Sequence, residues 1–237
     1  MPSGSTSPKA DRIAVSERIE HLRAEVQRLV LQGIEAPEFE FTRSCNLGSA
    51  DKQSQTDFAK TVQGICNALP AIERVYVIGG DQKEKKFLSL QNERDFDPAN
   101  IRQILEKYLE PIPIFEAYVL TADDGTKFAS VVLSSEQSRP IVTRLDVQAT
   151  DGVRELLRKG DIWIKKNTRL ERACRADLEM MTRTQIEVES ERRAEKRLGD
   201  MRSGIEASVR LQAFPERRIP SDDLVFGPDA EYKAYIE

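Results

Sequence analysis

Apolar residues stop being spaced for burial after Met181. From Thr182 to Arg210 the chain is rich in Glu and Arg, and its large apolar residues are Ile186, Val188, Leu198, Met201, Ile205 and Val209. Such a segment reads as a solvated helix, with breaks expected near Gly199 and Gly204. These apolar positions sustain no heptad, so self-association through the segment ranks low. The final stretch, with Pro215, Pro220 and Pro228, reads as irregular. Any folded core must therefore be built from the residues before Thr182.

Those residues alternate between helical and extended patterns. Residues 1–15 read as a disordered tail. From Ser16, the positions Ile19, Leu22, Val26, Leu29 and Val30 follow helical spacing, and Gly33 suits a C-terminal stop. Glu38 to Arg43 alternates Phe39 and Phe41 with charged neighbours, as a strand does. Asp51 to Leu69 reads as a helix with Phe58, Val62, Ile65, Cys66 and Leu69 on one face, ended by Pro70. Arg74 to Ile78 is a β-branched and aromatic core strand running into the Gly79-Gly80 turn.

A polar hairpin segment follows at 82–90. Asp97 and Pro98 then open a second helix whose face is Ile101, Ile104, Leu105, Tyr108 and Leu109. Ile114–Thr121 and Lys127–Ser134 form a hairpin through Asp123-Asp124-Gly125. The pattern then predicts a short helix over Asp151–Leu157, a strand over Ile162–Lys165 and a helix over Leu170–Met181. The expected fold is α+β, a mixed and largely antiparallel sheet flanked by helices over residues 16–181. A charged helical and irregular extension occupies 182–237.

Composition narrows the chemistry. With 36 Lys plus Arg against 40 Asp plus Glu, the net charge is -4, so bulk charge does not hold this chain to a polyanion. Any such site is a local patch. One lies between Arg154 and Arg175, where Arg154, Arg158, Lys159, Lys165, Lys166, Arg169, Arg172 and Arg175 face only Glu155, Asp161 and Glu171. Trp163 and Asn167 sit inside it. Its functional reading is a phosphate-contacting face, with Trp163 as a base platform or a core residue. The competing reading is intrahelical pairing with Glu155 and Glu171. Lys83, Lys85 and Lys86 form a second cluster, readable also as an exposed hairpin.

No run approaches the ~20 apolar residues of a membrane span. The N-terminus carries no secretory signal, so a cytoplasmic protein is expected. His21 is the single histidine, and Cys45, Cys66 and Cys174 are widely spaced, so neither a Cys/His zinc site nor a histidine-based nucleophile scheme is available. The thiols read as reduced and mostly buried. With no Walker loop or dinucleotide fingerprint, catalysis would fall to carboxylates acting through a metal.

Four stretches, in order, resemble the Schlafen AlbA-like domain family, in its bacterial single-copy form. They are Glu35-Ala36-Pro37-Glu38-Phe39-Glu40-Phe41, Phe58 to Asn67, Val77-Ile78-Gly79-Gly80-Asp81, and Arg158-Lys159-Gly160-Asp161-Ile162-Trp163-Ile164 with Asn167-Thr168 and Ala173. The resemblance spans roughly residues 33–181. It implies nucleic-acid binding, to RNA or DNA. In some members it also implies metal-dependent endoribonuclease activity on structured RNA such as transfer RNA. The family's two Glu and one Asp fall by position on Glu35, Glu40 and Asp81, as catalytic residues and as ligands of manganese or magnesium, with Glu38 as a substitute ligand. Such an ion would lower the pKa of a bound water and neutralise the scissile phosphate. Nucleic-acid contacts would fall on Arg43, Lys83, Lys85, Lys86, Arg158, Lys159, Lys165, Lys166, Arg169 and Arg172.

Thr42 stands where the family carries Lys, with Arg43 one residue late, and Ala68-Leu69-Pro70 replaces a Gly-Gly. The family's two-lobed nucleases clamp RNA, and a single copy would need a homodimer to imitate them. Bacterial defence is a setting the family suggests. The alternative is a non-catalytic interaction or sensing module that binds nucleic acid or a protein partner.

Overall fold

The chain's structure is a computed structural model that describes residues 8–48, 51–68, 70, 72–149, 152, 154–167 and 169–212, with side chains described between 15 and 203. Helix α1 (Pro8–Gln32) starts at Pro8 instead of Ser16. Proline suits a first turn, where its missing N–H would have no partner anyway. Of the expected disordered tail, residues 1–7 lie outside the described residues. Gly33 closes the helix at φ +68, with its N–H bonded to the Val30 carbonyl at 3.2 Å.

Strand β1 (Phe39–Thr42) leads to α2 (Lys52–Asn67), whose first turn is capped by Asp51 accepting from Ser54 N–H at 2.9 Å. Strand β2 (Arg74–Ile78) follows, then the small hairpin of β3 (Gly80–Asp81) and β4 (Lys86–Phe87). A single 3-10 turn over Glu93–Phe96 precedes α3 (Pro98–Tyr108), and Asp97 accepts from Ala99 N–H at 2.8 Å. Next come β5 (Leu109–Glu110), β6 (Phe115–Thr121), β7 (Lys127–Leu133), β8 (Val142–Thr143), β9 (Val147–Gln148), β10 (Glu155–Leu157), β11 (Trp163–Lys166), β12 (Arg169–Arg172) and α4 (Arg175–Gln212).

The main sheet has the order β1-β2-β7-β6. β1 lies parallel to β2, and the other two pairings are antiparallel. The fold is α+β. Both sheet faces are buried, and strand alternation sorts the side chains between them. Val75, Val77, Phe128 and Val132 face α1, packing with Val26 and Val30. Tyr76, Ile78, Val131 and Leu133 face α2 and α3, packing with Phe58, Val62, Ile101 and Leu105. Each fully buried Val or Leu of this kind stabilises the fold by about 1.5–3 kcal/mol.

Three expected helical features fall out differently. Residues Glu155–Leu157 are a strand, not the end of a helix. Gly152 at φ +69 makes a turn, and buried Leu156 and Leu157 anchor β10 against β9. Residues Leu170–Arg172 are likewise a strand. Asn167 at φ +53 turns the chain back so that β12 pairs β11, and the helix begins only at Arg175, where Asp177 accepts from Cys174 N–H at 2.8 Å. Third, α4 runs unbroken past Gly199 and Gly204. Its flanking Glu, Arg and Lys residues are strong helix formers, and pairs such as Arg183–Glu187 (3.1 Å) add i,i+4 support.

The chain divides into two units, Met1–Glu187 and Val188–Glu237. No described helix is long and apolar enough to cross a membrane. Cys174 is exposed, whereas Cys66 is buried and Cys45 half-buried. Burial pushes the Cys45 and Cys66 thiols up to about 12, so neither is a nucleophile at neutral pH.

Candidate functional site

The site begins with α2, whose buried polar face holds the C-terminal hairpin. Gln63 donates to the Ile141 and Asp161 carbonyls, both at 2.9 Å. Asn67 donates to the Ile141 and Trp163 carbonyls at 2.9 Å and accepts from Ile141 N–H at 2.8 Å. Between them lies Gly64, where a Cβ would collide with the tip of the Leu170 side chain and sit in ordinary contact with the Lys165 backbone. The missing side chain lets the β11–β12 hairpin lie directly on the helix.

On that hairpin Trp163 pairs with Arg172, and Lys165 with Leu170, so these four share one face. Lys60 Nζ lies 5.0 Å from the Trp163 ring centroid, and the Arg172 guanidinium 5.5 Å from it. Both are cation–π distances. Burial lowers the Lys60 pKa, with Asp57 pulling the other way and Arg154 and Arg172 reinforcing the drop. Trp163 itself is half-buried, and its indole N–H has no hydrogen-bond partner among the described residues.

Two strand positions from Trp163 the same face reaches a cavity of about 580 Å³. Glu35, Glu38, Glu40, Arg74, Gln82, Lys165 and Asn167 supply its polar wall, with Ile65, Pro37 and Pro70 as apolar floor. Lys165, its side chain 13% exposed, is ion-paired with Glu40. Arg74 Nη1 donates to the Pro37 carbonyl at 2.8 Å, while its buried Nε has no partner among the described residues. Burial lowers the Arg74 pKa, partly offset by Glu38.

Glu35 and Glu40 thus come together, and Glu38 joins them. Asp81 does not line the cavity. It is a turn residue, 4% exposed, whose Oδ1 accepts from Lys83 N–H (3.1 Å) and Glu84 N–H (3.2 Å), and whose Oδ2 pairs with Arg43 at 2.8 Å. Burial pushes its carboxyl up, but the two N–H groups and Arg43 outweigh that and hold it below the usual range. Among the described residues no three His, Cys, Asp or Glu are gathered as a metal would need. As arranged, Glu35, Glu40 and Asp81 do not fit a three-carboxylate ligand set, because cations and turn amides already occupy two of them. No metal-dependent step follows from this geometry.

No protein-family model matches the chain, and no curated protein matches it.

The expected nucleic-acid contacts divide in two. Arg43, Lys165, Lys166 and Arg172 are ion-paired, to Asp81, Glu40, Asp177 (2.8 Å) and Asp161 (2.9 Å). The partners are remote in sequence and are neither Glu155 nor Glu171. Lys83, Lys85, Lys86, Arg158, Lys159 and Arg169 have no ion pair among the described residues, and all six are exposed or half-exposed. Lys83 and Lys85 sit on the β3–β4 turn, with Lys85 at φ +53, and Lys86 opens β4. Arg158 and Lys159 precede Gly160 (φ +84) at the entry to β11, and Arg169 opens β12. Sequence reasoning missed Arg74 and Gln63. A charged residue opening the apolar run Arg74–Ile78 was the available signal for the first. Nothing local marked Gln63.

Proposed function

We propose that this chain binds nucleic acid through the β11–β12 hairpin, with Trp163 and Arg172 on one face and Arg169 on the other. One observation carries the reading. Trp163, half-exposed, stands beside Lys60 and Arg172, on a hairpin whose neighbours Arg158, Lys159 and Arg169 lack ion-pair partners among the described residues. An unstacked base needs a flat ring and a phosphate needs free cations, and both are offered within one ribbon. The Arg172 side chain is 56% exposed. Its guanidinium can swing to a phosphate while a base takes its place over the indole. A reducing, cytoplasmic setting goes with this reading, and so does the family resemblance over residues 33–181.

The test uses the single tryptophan as reporter. A mixed-sequence single-stranded RNA, transfer RNA and duplex DNA are titrated at low salt while indole fluorescence is followed. Quenching by RNA is expected. The affinity should fall with a log–log salt slope of about −2 to −3.5, which corresponds to three to five phosphate contacts on a single strand. Trp163→Ala should weaken binding, read by anisotropy, by about 5- to 150-fold, the worth of one stacked base. Absence of both quenching and binding at low salt sinks the proposal. A parallel arm with manganese and with Glu40→Ala reports whether cleavage accompanies binding.

A further inference from the structure

We propose that the outer edge of β1 takes up an extended basic peptide as an added strand. This is a second activity, on the strand edge that meets the hairpin face at the shared cavity, where Lys165 pairs with Glu40. β1 is an end strand of the main sheet and pairs with β2 alone. Val75 N–H bonds to the Glu38 carbonyl at 2.7 Å and Gly79 N–H to the Thr42 carbonyl at 2.9 Å. Along a strand, the backbone groups of alternate residues point to opposite edges. The Phe41 N–H and carbonyl and the Phe39 carbonyl therefore face outward, and none has a partner among the described residues. A row of unpaired backbone groups is a template for another strand.

That edge borders the cavity of about 580 Å³, where Phe39 and Phe41 contribute to the lining. Their rings pack into the core beneath α1, so the backbone is what they offer. Glu38 and Glu40 project to the α2 side, and Glu35 stands at the end of the row. Lys165 pairs with Glu40 and Arg74 feels the Glu38 charge, so the wall sets three carboxylates against two cations, with Glu35 and Glu38 outside any ion pair among the described residues. Charge selects the occupant. Nucleic-acid phosphate would meet these carboxylates at like charge. A second copy's β1 would set the same glutamates against each other, which is unfavourable across a strand pair. A peptide with Lys or Arg at alternate positions meets them with opposite charge on the α2 side and satisfies the edge amides, while its intervening side chains turn to the α1 side beside Phe39 and Phe41.

The probe is a fluorescein-labelled hexapeptide of alternating valine and lysine, measured by anisotropy on the full chain. Two further versions carry N-methyl groups on one or the other alternate set of backbone amides, and a fourth replaces lysine with glutamate. Binding is expected for the lysine peptide. It should fall at least tenfold for one methylated set and little for the other, because only one set faces β1. The glutamate peptide should not bind, and the double variant Glu35→Gln/Glu38→Gln should lose tenfold or more while keeping its thermal melt. The proposal is overturned if the lysine peptide does not bind, if both methylated sets bind as tightly as the parent, or if the double variant binds unchanged.

Discussion

Asp81 shows how one side chain can carry two readings and satisfy the plainer one. Its carboxylate receives two turn amides and a guanidinium, so it organises the β3–β4 turn. Its folded pKa lies below the usual value of about 3.9 for the unfolded chain. A depressed pKa contributes stability that is full above the unfolded value and is lost as pH falls through the folded one. Asp177, held down chiefly by Lys166, acts in the same direction. Between about pH 5 and pH 3 the urea midpoint of the native chain should therefore drop more steeply than that of Asp81→Asn, which has no such proton to gain. Equal slopes would remove Asp81 as a contributor. The resemblance drew attention to Glu35, Glu40 and Asp81, and turn chemistry after Gly79-Gly80 was legible beside it. That Glu40 meets Lys165 was not legible, because those two residues are brought together only by the docking of the hairpin on α2.

At the scale of elements, that docking depends on a polar seam inside an otherwise apolar contact. Asn67 is fully buried and makes three hydrogen bonds to the backbones of Ile141 and Trp163. Asn67→Leu leaves the Trp163 carbonyl and the Ile141 N–H unpaired, while the Ile141 carbonyl keeps Gln63, and each unpaired group costs about 1–3 kcal/mol. A loss of at least 2 kcal/mol in chemical denaturation is expected on that basis (~1 kcal/mol for each of two groups). Gly64→Ala tests the same contact sterically. It should force the Leu170 side chain out of its place against α2, lowering stability by about 1–3 kcal/mol, and weaken RNA binding even though residue 64 touches no ligand. An Ala variant with native stability and affinity would show that the hairpin has slack. The strands β10 and β12 were misread as helices for an identifiable reason. Each is three or four residues long, too short for a period of 2 to be told from a period of 3.6. The decisive local features are backbone turns at Gly152 and Asn167, and the second is a residue that tolerates the left-handed region without announcing it.

For the whole molecule, the long patterns were the readable ones. The run Arg74–Ile78, the Asp97-Pro98 helix start and the Asp123–Gly125 hairpin all appear where expected, and with them the α+β class. The sheet's two-sided burial follows from the same run. Val75 and Val77 look one way while Tyr76 and Ile78 look the other. The first face is covered by α1, the element whose start the pattern placed too late. A chain beginning at Gly33, where the family resemblance begins, should therefore lose cooperative unfolding and bind a hydrophobic dye, whereas the full chain should do neither. A sharp melt from the shortened chain would count against α1 as a required cover.

The cover, held in its centre by buried Val26 and Val30, is also fastened at its rim. Arg18 reaches Glu73 at 3.0 Å, and Arg23 reaches Asp123 at 2.8 Å, both pairs in contact with water. Exposed pairs of this kind contribute about 0–1 kcal/mol each and fade with salt. In a hydrogen-exchange experiment at high ionic strength, the amides of α1 would thus be the first in the folded unit to lose protection. Salt in a storage buffer thus loosens the margins of that helix and leaves its apolar seam in place.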